Sequence, residues 1–312
     1  MVKITLKDGS VLEMEQGSTA LDAAQKISEG LARNALACEI NGETRDLMTP
    51  INEDCSLSIL TFQDEMGRWT LRHTASHILA QAVKRLYPHV LVAIGPAIEN
   101  GFYYDFDIDA PFTAEDLQKI EAEMKKIVKE NIKIERFTMN REEAIAYFKE
   151  QDEIYKQELV ENLPEGAEIS FYRQGDFTDL CAGPHLPSTG KVKALRLTSS
   201  TGAYWRGDSD KKMLKRIYGT AFMKNAELEE YLAAVEEAKK RDHNKIGREL
   251  EYFTTVDTIG QGLPILLPNG ARVVQLLQRW VEDVKQQRGY LLTKTPFMAK
   301  RDLYQISGHW DH

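Results

Sequence analysis

The sequence of 312 residues has little cysteine, no long apolar run and no excess of positive charge. It has only three cysteines, Cys38, Cys55 and Cys181, and an odd number cannot all pair with one another. A disulfide framework is therefore not expected, which favours a reducing compartment such as the cytoplasm. A membrane-spanning helix needs about 20 apolar residues, and the apolar stretches here are far shorter. The alternating start Met1–Thr5 lacks the apolar segment of a secretion signal. We therefore expect a cytoplasmic chain without a membrane span.

The net charge of −8 argues against a surface coated in basic residues for nucleic acid. Most of the acidity lies in residues 1–62, with net charge −5, whereas residues 63–224 and 225–312 carry −2 and −1. Basic runs occur at residues 211–216 and 239–248. The second run is either the end of a helix, where cations favour the dipole, or a phosphate-contacting hinge between domains. A local basic face for nucleic acid therefore stays possible.

The first 62 residues are typical of a small α+β unit. The turn Asp8-Gly9 predicts a hairpin. Ser18 or Thr19 can cap a helix that runs to about Ser28, and Gly30 can end it. Four segments have the pattern of strands: Val2–Leu6, Val11–Glu15, Ala37–Ile40 and Leu57–Leu60. This order indicates a ubiquitin-like roll, which is more often a binding accessory than an enzyme.

Residues 63–224 read as a second α+β unit. A helix is predicted to start near Thr70 and to stop at Pro88, and Thr113 and Asn140 each cap a later helix. The first of these helices has an apolar face formed by Leu71, Ile78, Leu79, Ala82 and Leu86. Residues 170–218 are predicted to form short strands and loops.

The last part of the chain begins with a predicted linker helix over residues 225–242. Gly270–Arg288 then reads as an amphipathic helix, and Tyr290–Thr295 as a strand ended by Pro296. The inner face of the amphipathic helix is predicted from its apolar residues Val273, Val274, Leu277, Trp280, Val281 and Val284. One helix and one strand do not complete a domain, so residues 243–312 look like an interrupted unit.

Four side chains suited to a metal or to water activation occur in two pairs. His73 and His77 are four residues apart on a predicted helix and share one face. Pro184 excludes a continuous helix near Cys181 and His185, which therefore lie on a loop. Imidazole and thiol groups suit borderline metals such as Zn²⁺. These residues indicate a metal site, a metal-free water-activating site, or buried histidines with only a structural role.

These motifs resemble the editing domain of bacterial threonyl-tRNA synthetases. The similarity rests on His73-x-x-x-His77 together with the run Thr178–His185, and it extends to Thr198–Arg206 and Arg216–Phe222. The related alanyl editing domain has a similar four-residue set. The resemblance is specific because it joins separate motifs in one order.

The resemblance covers essentially the whole chain and implies its domain organisation. Residues 1–62 resemble the TGS domain, of β-grasp fold, and residues 63–224 the α+β editing domain. Residues 243–312 resemble the antiparallel-sheet class II catalytic domain, with motif 1 ending at Pro296 and Ser307–His312 just after it. Residues 225–242 would then link the two. The overall fold class is expected to be α+β.

The resemblance also assigns roles to the four-residue set. It implies that His73 places or activates a water molecule beside Cys181, and that His77 and His185 complete the group. Threonyl editing is thought to use no metal, whereas alanyl editing uses zinc. We therefore expect no metal at these four residues and a deacylation rate that survives chelation.

Three further residues are implied to contact the substrate. Asp179 would bind the ammonium or hydroxyl group of serine, and Tyr104 and Lys156 match positions associated with substrate contacts. The simpler alternatives are a core aromatic ring for Tyr104 and a solvated helix lysine for Lys156.

The activity implied is that of a threonine–tRNA ligase with a hydrolytic editing site. A pocket sized for threonine cannot exclude serine, because one methyl group is worth only about 1–3 kcal/mol of discrimination. A second site would therefore hydrolyse seryl-tRNAThr. The complete enzyme is expected to be a homodimer using ATP, Mg²⁺ and Zn²⁺, but its ATP-binding motifs 2 and 3 and its zinc ligands would lie beyond His312. We expect this fragment to retain editing and to be inactive in aminoacylation.

Two alternatives of other classes stay open. One is a stand-alone zinc-dependent deacylase of the alanyl-editing type, which would need neither residues 1–62 nor the motif 1 region. The other is a non-catalytic tRNA-binding module that uses the basic runs, and it leaves His73 and Cys181 unexplained.

Overall fold

The computed structural model describes residues 1–260 and 262–310. Its backbone forms two compact units, Met1–Leu232 and a second unit that starts at Ala233. The first unit contains three β-sheets, the helices that accompany them and all the predicted site residues. No helix among the described residues is long and apolar enough to cross a membrane.

The N-terminal layer is a five-stranded sheet in the order β2-β1-β5-β3-β4. Strand β1 pairs antiparallel with β2 across the predicted hairpin and parallel with β5. The elements are β1 (Val2–Leu6), β2 (Val11–Met14), α1 (Ala20–Ile27), α2 (Glu29–Asn34), β3 (Ala37–Ile40), β4 (Glu43–Arg45) and β5 (Cys55–Leu60). A helix over a mixed sheet of this order confirms the β-grasp prediction.

The predicted end of the first helix near Ser28 is confirmed, but Gly30 is not the residue that ends it. Helix α1 is capped by Thr19, whose side chain and that of Asp22 form a capping box, and it ends before Ser28. Ser28 is extended, and its hydroxyl accepts from the amide of Leu31, so a second helix starts there with Gly30 inside it. A local cap therefore overrode the tendency of glycine to stop a helix.

The middle of the chain is built around the long helix α3 (Glu65–Leu86). This helix packs on a sheet in the order β12-β13-β8-β6, in which β7 also pairs with β8. A three-stranded sheet, β11-β10-β9, forms a further layer. The remaining elements are β6 (Leu91–Val92), β7 (Ala97–Ile98), β8 (Gly101–Asp107), α4 (Ala114–Glu130), β9 (Ile134–Met139), α5 (Arg141–Glu150), α6 (Ile154–Glu161), β10 (Ile169–Gln174), β11 (Phe177–Leu180), β12 (Ala194–Tyr204) and β13 (Met213–Phe222).

Helix α3 ends just before Pro88, as predicted, but its start and its burial differ from the prediction. It begins at Glu65 and is buried on most sides between Thr70 and Val83, so one apolar stripe understates its contacts. Leu86, predicted to lie on that stripe, is exposed because it belongs to the last turn. The core side of α3 packs against the aromatic residues Phe102, Tyr104 and Phe106 of β8.

The capping predictions for α4 and α5 are confirmed, but the short strands predicted over residues 170–218 are only partly right. Thr113 and Asn140 both form capping boxes. Strands β12 and β13 have 11 and 10 residues and pair over most of their length through a bulge between Leu197 and Ser199. The polar residues of β12 face outward in this ladder, and their polarity suggested loops.

The second unit contains mostly helix. Helix α7 (Asn225–Lys240) enters it from the first unit. The other elements are α8 (His243–Glu249), β14 (Phe253–Thr254), β15 (Ile265–Leu266), α9 (Pro268–Gln287) and α10 (Arg301–Ile306). Of the predicted segment Ser307–His312, Asp311 and His312 lie outside the described residues.

Two predictions for this unit are wrong. Tyr290–Thr295 forms no strand, because an isolated extended segment has no neighbouring strand to accept its backbone hydrogen bonds. Helix α9 exists, but its predicted inner face is open: Trp280 is 62% exposed and Leu277 56%. Of the six residues predicted for that face, only Val284 is partly buried.

Candidate functional site

The histidine pair lies on the buried part of α3. The four-residue spacing puts His73 and His77 one turn apart, with ring centroids 5.1 Å apart. Both side chains are buried, so their ring nitrogens need hydrogen-bonding partners inside the protein. Their face of α3 therefore has to meet polar groups from elsewhere in the chain.

The loop over residues 181–185, which we call the site loop, supplies those groups. It follows β11 and contains a cis peptide bond between Gly183 and Pro184. Gly183 has φ +78°, and a Cβ atom there would lie 2.0 Å from the hydroxyl oxygen of Tyr172, so only glycine fits. This turn directs Cys181 and His185 back onto α3.

The four groups converge on the sulfur of Cys181. Its Sγ lies 3.3 Å from Nε2 of His73 and 3.2 Å from Nε2 of His185. The ring of His185 also packs at 4.2 Å from that of His77. One ligand atom from each of the four residues lies within 4.8 Å of all the others. The two predicted pairs are therefore brought into one cluster.

Hydrogen bonds on the far side of each ring fix the tautomers of His73 and His185. Nδ1 of His73 lies 3.3 Å from the carbonyl oxygen of Pro184, which can only accept, so Nδ1 carries the proton. Nδ1 of His185 lies 3.2 Å from the hydroxyl of Thr74, which already donates to the carbonyl of Thr70. Both Nε2 atoms are then acceptors that face Cys181, whose single thiol proton can satisfy only one of them.

Burial keeps the whole cluster uncharged. It lowers the pKa of His73 to about 3, with a further contribution from His77, and the pKa of His77 to about 4. Burial and the two neighbouring imidazoles hold the pKa of His185 well below its usual value. Burial raises the pKa of Cys181 to about 12. At neutral pH the cluster therefore consists of three neutral imidazoles and a thiol.

A second polar group adjoins the cluster around Asp179. The ammonium group of Lys156 lies 2.5 Å from Oδ1 of Asp179, and Tyr104 donates to Oδ2 at 2.6 Å. Lys156 also donates to the Tyr104 hydroxyl at 2.9 Å. Nε2 of His77 lies 3.6 Å from Oδ2, which joins this group to the cluster. All seven predicted site residues are thus contiguous.

The charge of Asp179 is kept although the carboxylate is buried. Burial raises its pKa, but Lys156, His77 and Tyr104 together outweigh burial and hold the pKa below its usual value. The Tyr104 pKa is raised well above its usual value by burial and by Asp179, so this hydroxyl stays a donor. A buried negative charge therefore lies next to neutral imidazoles.

The simpler alternatives for two residues are tested by burial. Lys156 is 2% exposed, so the alternative of a solvated helix lysine is wrong. Tyr104 is a core aromatic in contact with Phe106, and its hydroxyl also enters the Asp179 group. A cavity of about 270 Å³ is lined by Lys156 and Asp179, and Cys181 is partly exposed.

Three residues of the site were missed from the sequence. Thr74 orients His185, Tyr172 packs its ring 4.4 Å from that of His185, and Asp46 accepts from the backbone of His185. Thr74 could have been found from its place beside His73 on the same helix. Asp46 carried no signal, because 139 residues separate it from His185.

The predicted basic runs are largely neutralised by nearby carboxylates. In residues 211–216, three of the cations form ion pairs: Lys211 with Glu158, Lys212 with Asp107 and Arg216 with Asp105. In residues 239–248, the pairs are Lys239–Glu236, Lys240–Glu237, Arg241–Glu237 and Lys245–Glu249. Such pairs fit the helix-end explanation of the second run better than a phosphate-binding hinge.

The cluster has the donor set of a zinc site. Tetrahedral zinc with bonds of roughly 2.0–2.3 Å needs neighbouring ligands about 3.5 Å apart, close to the two sulfur–nitrogen distances. Three imidazoles and a thiol therefore fit zinc by type, and the two sulfur–nitrogen distances fit its spacing. They fit equally a water molecule that donates to one Nε2 atom and accepts from the thiol.

Two domain families match parts of the chain. Residues 2–61 match the TGS domain, and residues 169–218 match the threonyl and alanyl tRNA synthetase second additional domain. The second match contains β10, β11, the site loop and most of the β12–β13 ladder. It therefore includes Asp179, Cys181 and His185.

Curated relatives resemble the chain over all 312 residues. Threonine–tRNA ligases from Clostridium botulinum (strain Alaska E43 / Type E3) and Clostridium perfringens (strain 13 / Type A) are each 61% identical to it and are covered over 48% of their own length. A third, from Clostridium botulinum (strain Kyoto / Type A2), is 60% identical and covered over 49%. The chain thus spans about half the length of the curated relatives it matches. It is homologous throughout to threonine–tRNA ligases and carries a TGS domain and the second additional, editing domain of threonyl- and alanyl-tRNA synthetases.

Proposed function

We propose that this chain hydrolyses seryl-tRNAThr at the site formed by the cluster and the Asp179 group. The observation that carries the proposal is the convergence of two Nε2 acceptors on one thiol, next to a buried carboxylate. Neutral acceptors can hold a water molecule, and a carboxylate can hold the ammonium or hydroxyl group of an amino acid. Hydrolysis of one chosen aminoacyl ester needs a placed water molecule and a group that holds the amino acid in position.

The water would be placed by His73 and Cys181. Because its pKa is near 3, the imidazole of His73 is a weak base, so we assign it to orient the water through Nε2. Cys181 stays a thiol and is a poor nucleophile, which favours direct attack by water over an acyl-enzyme. The water oxygen bonds to the ester carbon, and the bond from that carbon to the ribose oxygen breaks. A proton of the water passes to the ribose oxygen, and the products are serine and tRNA.

The amino acid would be held by the Asp179 group. Both oxygens of Asp179 already face Lys156 and Tyr104, so a bound ammonium group has to share the carboxylate with Lys156. Tyr104 and Lys156 would contact the substrate through this exchange. The close packing around these buried groups suits the smaller serine. Threonyl-tRNAThr, the correct product, would be excluded from the site by the extra methyl group of its threonine.

We propose that this hydrolysis uses no metal, as the resemblance to threonyl editing implies. His73, His77, Cys181 and His185 would be the residues that hold a zinc ion if one bound. Zinc would supply a water molecule of lowered pKa. With or without zinc, the contribution of the chain itself is to hold the Nε2 atoms of His73 and His185 in a fixed orientation.

The activity of the longer relatives is proposed for the protein to which this chain corresponds. That activity is the ATP-dependent charging of tRNAThr with threonine, with Mg²⁺ and Zn²⁺ as cofactors and a homodimer as the assembly. We also propose the domain boundaries 1–62, 63–224, 225–242 and 243–312, for TGS, editing, linker and partial catalytic regions. The acceptor end of tRNAThr would enter the editing site.

The two alternatives are less well supported. A stand-alone alanyl-type deacylase does not explain residues 1–62 or the similarity to ligases that continues to the last residue. A non-catalytic tRNA-binding module needs free cations, whereas those of the basic runs are mostly paired. It also gives no reason to bury three neutral imidazoles around a thiol.

One experiment separates the three possibilities. The chain is mixed with mischarged seryl- and alanyl-tRNA, and ester cleavage is followed with His73→Ala and Cys181→Ala as variants. We expect cleavage of seryl-tRNAThr only, slowed about 10²-fold in each variant because the water loses its orienting group. Cleavage of alanyl-tRNA instead would favour the stand-alone deacylase. If the wild-type chain cleaves neither tRNA, the binding module is favoured.

A further inference from the structure

Asp46 reaches the site from the N-terminal sheet. It follows β4 directly, and its Oδ1 atom accepts from the backbone N–H of His185 at 2.6 Å. Its Oδ2 atom accepts from the hydroxyl of Tyr172 at 2.7 Å. One carboxylate from residues 1–62 therefore contacts both the site loop and the strand beneath it.

These two bonds fix the imidazole of His185 from two directions. The first holds the backbone at the residue that follows the cis Gly183–Pro184 bond. The second holds the ring of Tyr172, which packs at 4.4 Å from the ring of His185. Because the Tyr172 hydroxyl also lies where a side chain of Gly183 would be, the same carboxylate determines the path of the loop.

The position of His185 in turn determines the position of the Cys181 sulfur. Nε2 of His185 is 3.2 Å from Sγ, and the amide of Gly183 donates to Sγ at 3.3 Å. A shift of the loop would move the thiol away from Nε2 of His73. Asp46 thus acts on the cluster through the loop, without touching any of its four ligand atoms.

Docking of the N-terminal sheet does not depend on Asp46 alone. Lys191 donates to the carbonyl oxygens of Ala32 and Arg33, and Leu36 lies in the same apolar core as Leu71. These contacts hold the two parts of the unit together away from the site loop. Docking therefore does not require the contacts of Asp46, and their effect can be confined to the position of the site loop.

We propose that Asp46 is a positioning residue of the editing site, so that the TGS domain completes the site built by the editing domain. This inference rests on the proposed hydrolysis of seryl-tRNA. It predicts that the chemical step depends on a carboxylate or amide at position 46, whereas substrate binding does not.

The test uses the whole 312-residue chain and single-turnover cleavage of seryl-tRNAThr. Asp46→Ala should slow the rate constant about tenfold or more, because a misplaced group loses much of its effect, with the half-saturating concentration changed less than about twofold. Asp46→Asn should restore most of the rate, since its amide can accept from His185 and donate to Tyr172. Asp54→Ala is the matched control, because exposed Asp54 accepts from the Lys3 amide in the same sheet, away from the site.

A second readout separates positioning from chemistry. Backbone hydrogen exchange of peptides that contain His185 should accelerate in Asp46→Ala and stay slow in Asp46→Asn and Asp54→Ala. If Asp46→Ala does not fold, Asp46→Ser takes its place with the same expectations. A folded Ala or Ser variant with the wild-type rate and wild-type exchange overturns the inference. Wild-type chain that cleaves no seryl-tRNA refutes the proposed function instead, while the exchange result still tests the positioning.

Discussion

Replacing Asp179 by asparagine is expected to lower the free energy of unfolding by about 3–5 kcal/mol and to stop hydrolysis of seryl-tRNA. The side chains of Lys156 and Asp179 are 3% and 2% exposed, so the variant leaves an ammonium group buried without its counter-charge. Urea denaturation at pH 7 measures the stability, and single-turnover cleavage measures the activity.

The double variant Asp179→Asn with Lys156→Met distinguishes charge burial from lost packing. Removing both charges should recover most of the stability, because an apolar side chain of similar length can fill the site. It should not recover hydrolysis. Glu115→Gln is the control: its pair with Lys119 is exposed to solvent, so its loss should leave the free energy of unfolding almost unchanged. A cost below about 1 kcal/mol for Asp179→Asn, or a double variant no more stable than the single one, would contradict the account.

Acidification from pH 7 to pH 5 is expected to destabilise the first unit strongly through His73, His77 and His185. Their pKa values are lowered in the folded chain, whereas in the unfolded chain each binds a proton below about pH 6.5. The stabilisation is therefore fully present above pH 6.5 and is lost as the pH falls towards the folded values. Each histidine should cost about 2 kcal/mol over this range, or about 6 kcal/mol for all three.

Single replacements identify the histidine contribution among the other titrating groups. In His77→Gln, the difference in unfolding free energy between pH 7 and pH 5 should shrink by about 2 kcal/mol. His89→Gln, at an exposed histidine outside the cluster, is the matched control variant. If His77→Gln shows the wild-type dependence on pH, the imidazole is not held neutral as described.

The parts of the fold that were predictable are those specified by neighbouring residues. Thr113 and Asn140 cap their helices through the residue three positions later, so the sequence contains the whole interaction. Strands β1, β2, β3 and β5 follow from alternation and the hairpin turn. The errors arose where the structure depends on residues distant in the sequence. The pattern of α9 identifies its apolar face, but the sequence does not show which element covers that face.

The candidate site divides in the same way. The spacing of His73 and His77 and the proline in the site loop limit where those side chains can point. The burial of Lys156 could not be predicted, because it depends on α6 packing against the buried Asp179. Asp46 lies in another sheet, and only the folded chain brings it to His185.

The measurement that tests the central claim most directly is the rate of seryl-tRNAThr cleavage by this chain before and after exhaustive chelation of metals. The account predicts rapid cleavage that chelation leaves unchanged, with threonyl-tRNAThr left intact and the activity lost in His73→Ala. Absence of cleavage by the wild-type chain, or loss of cleavage on removal of zinc with recovery on its return, would contradict it.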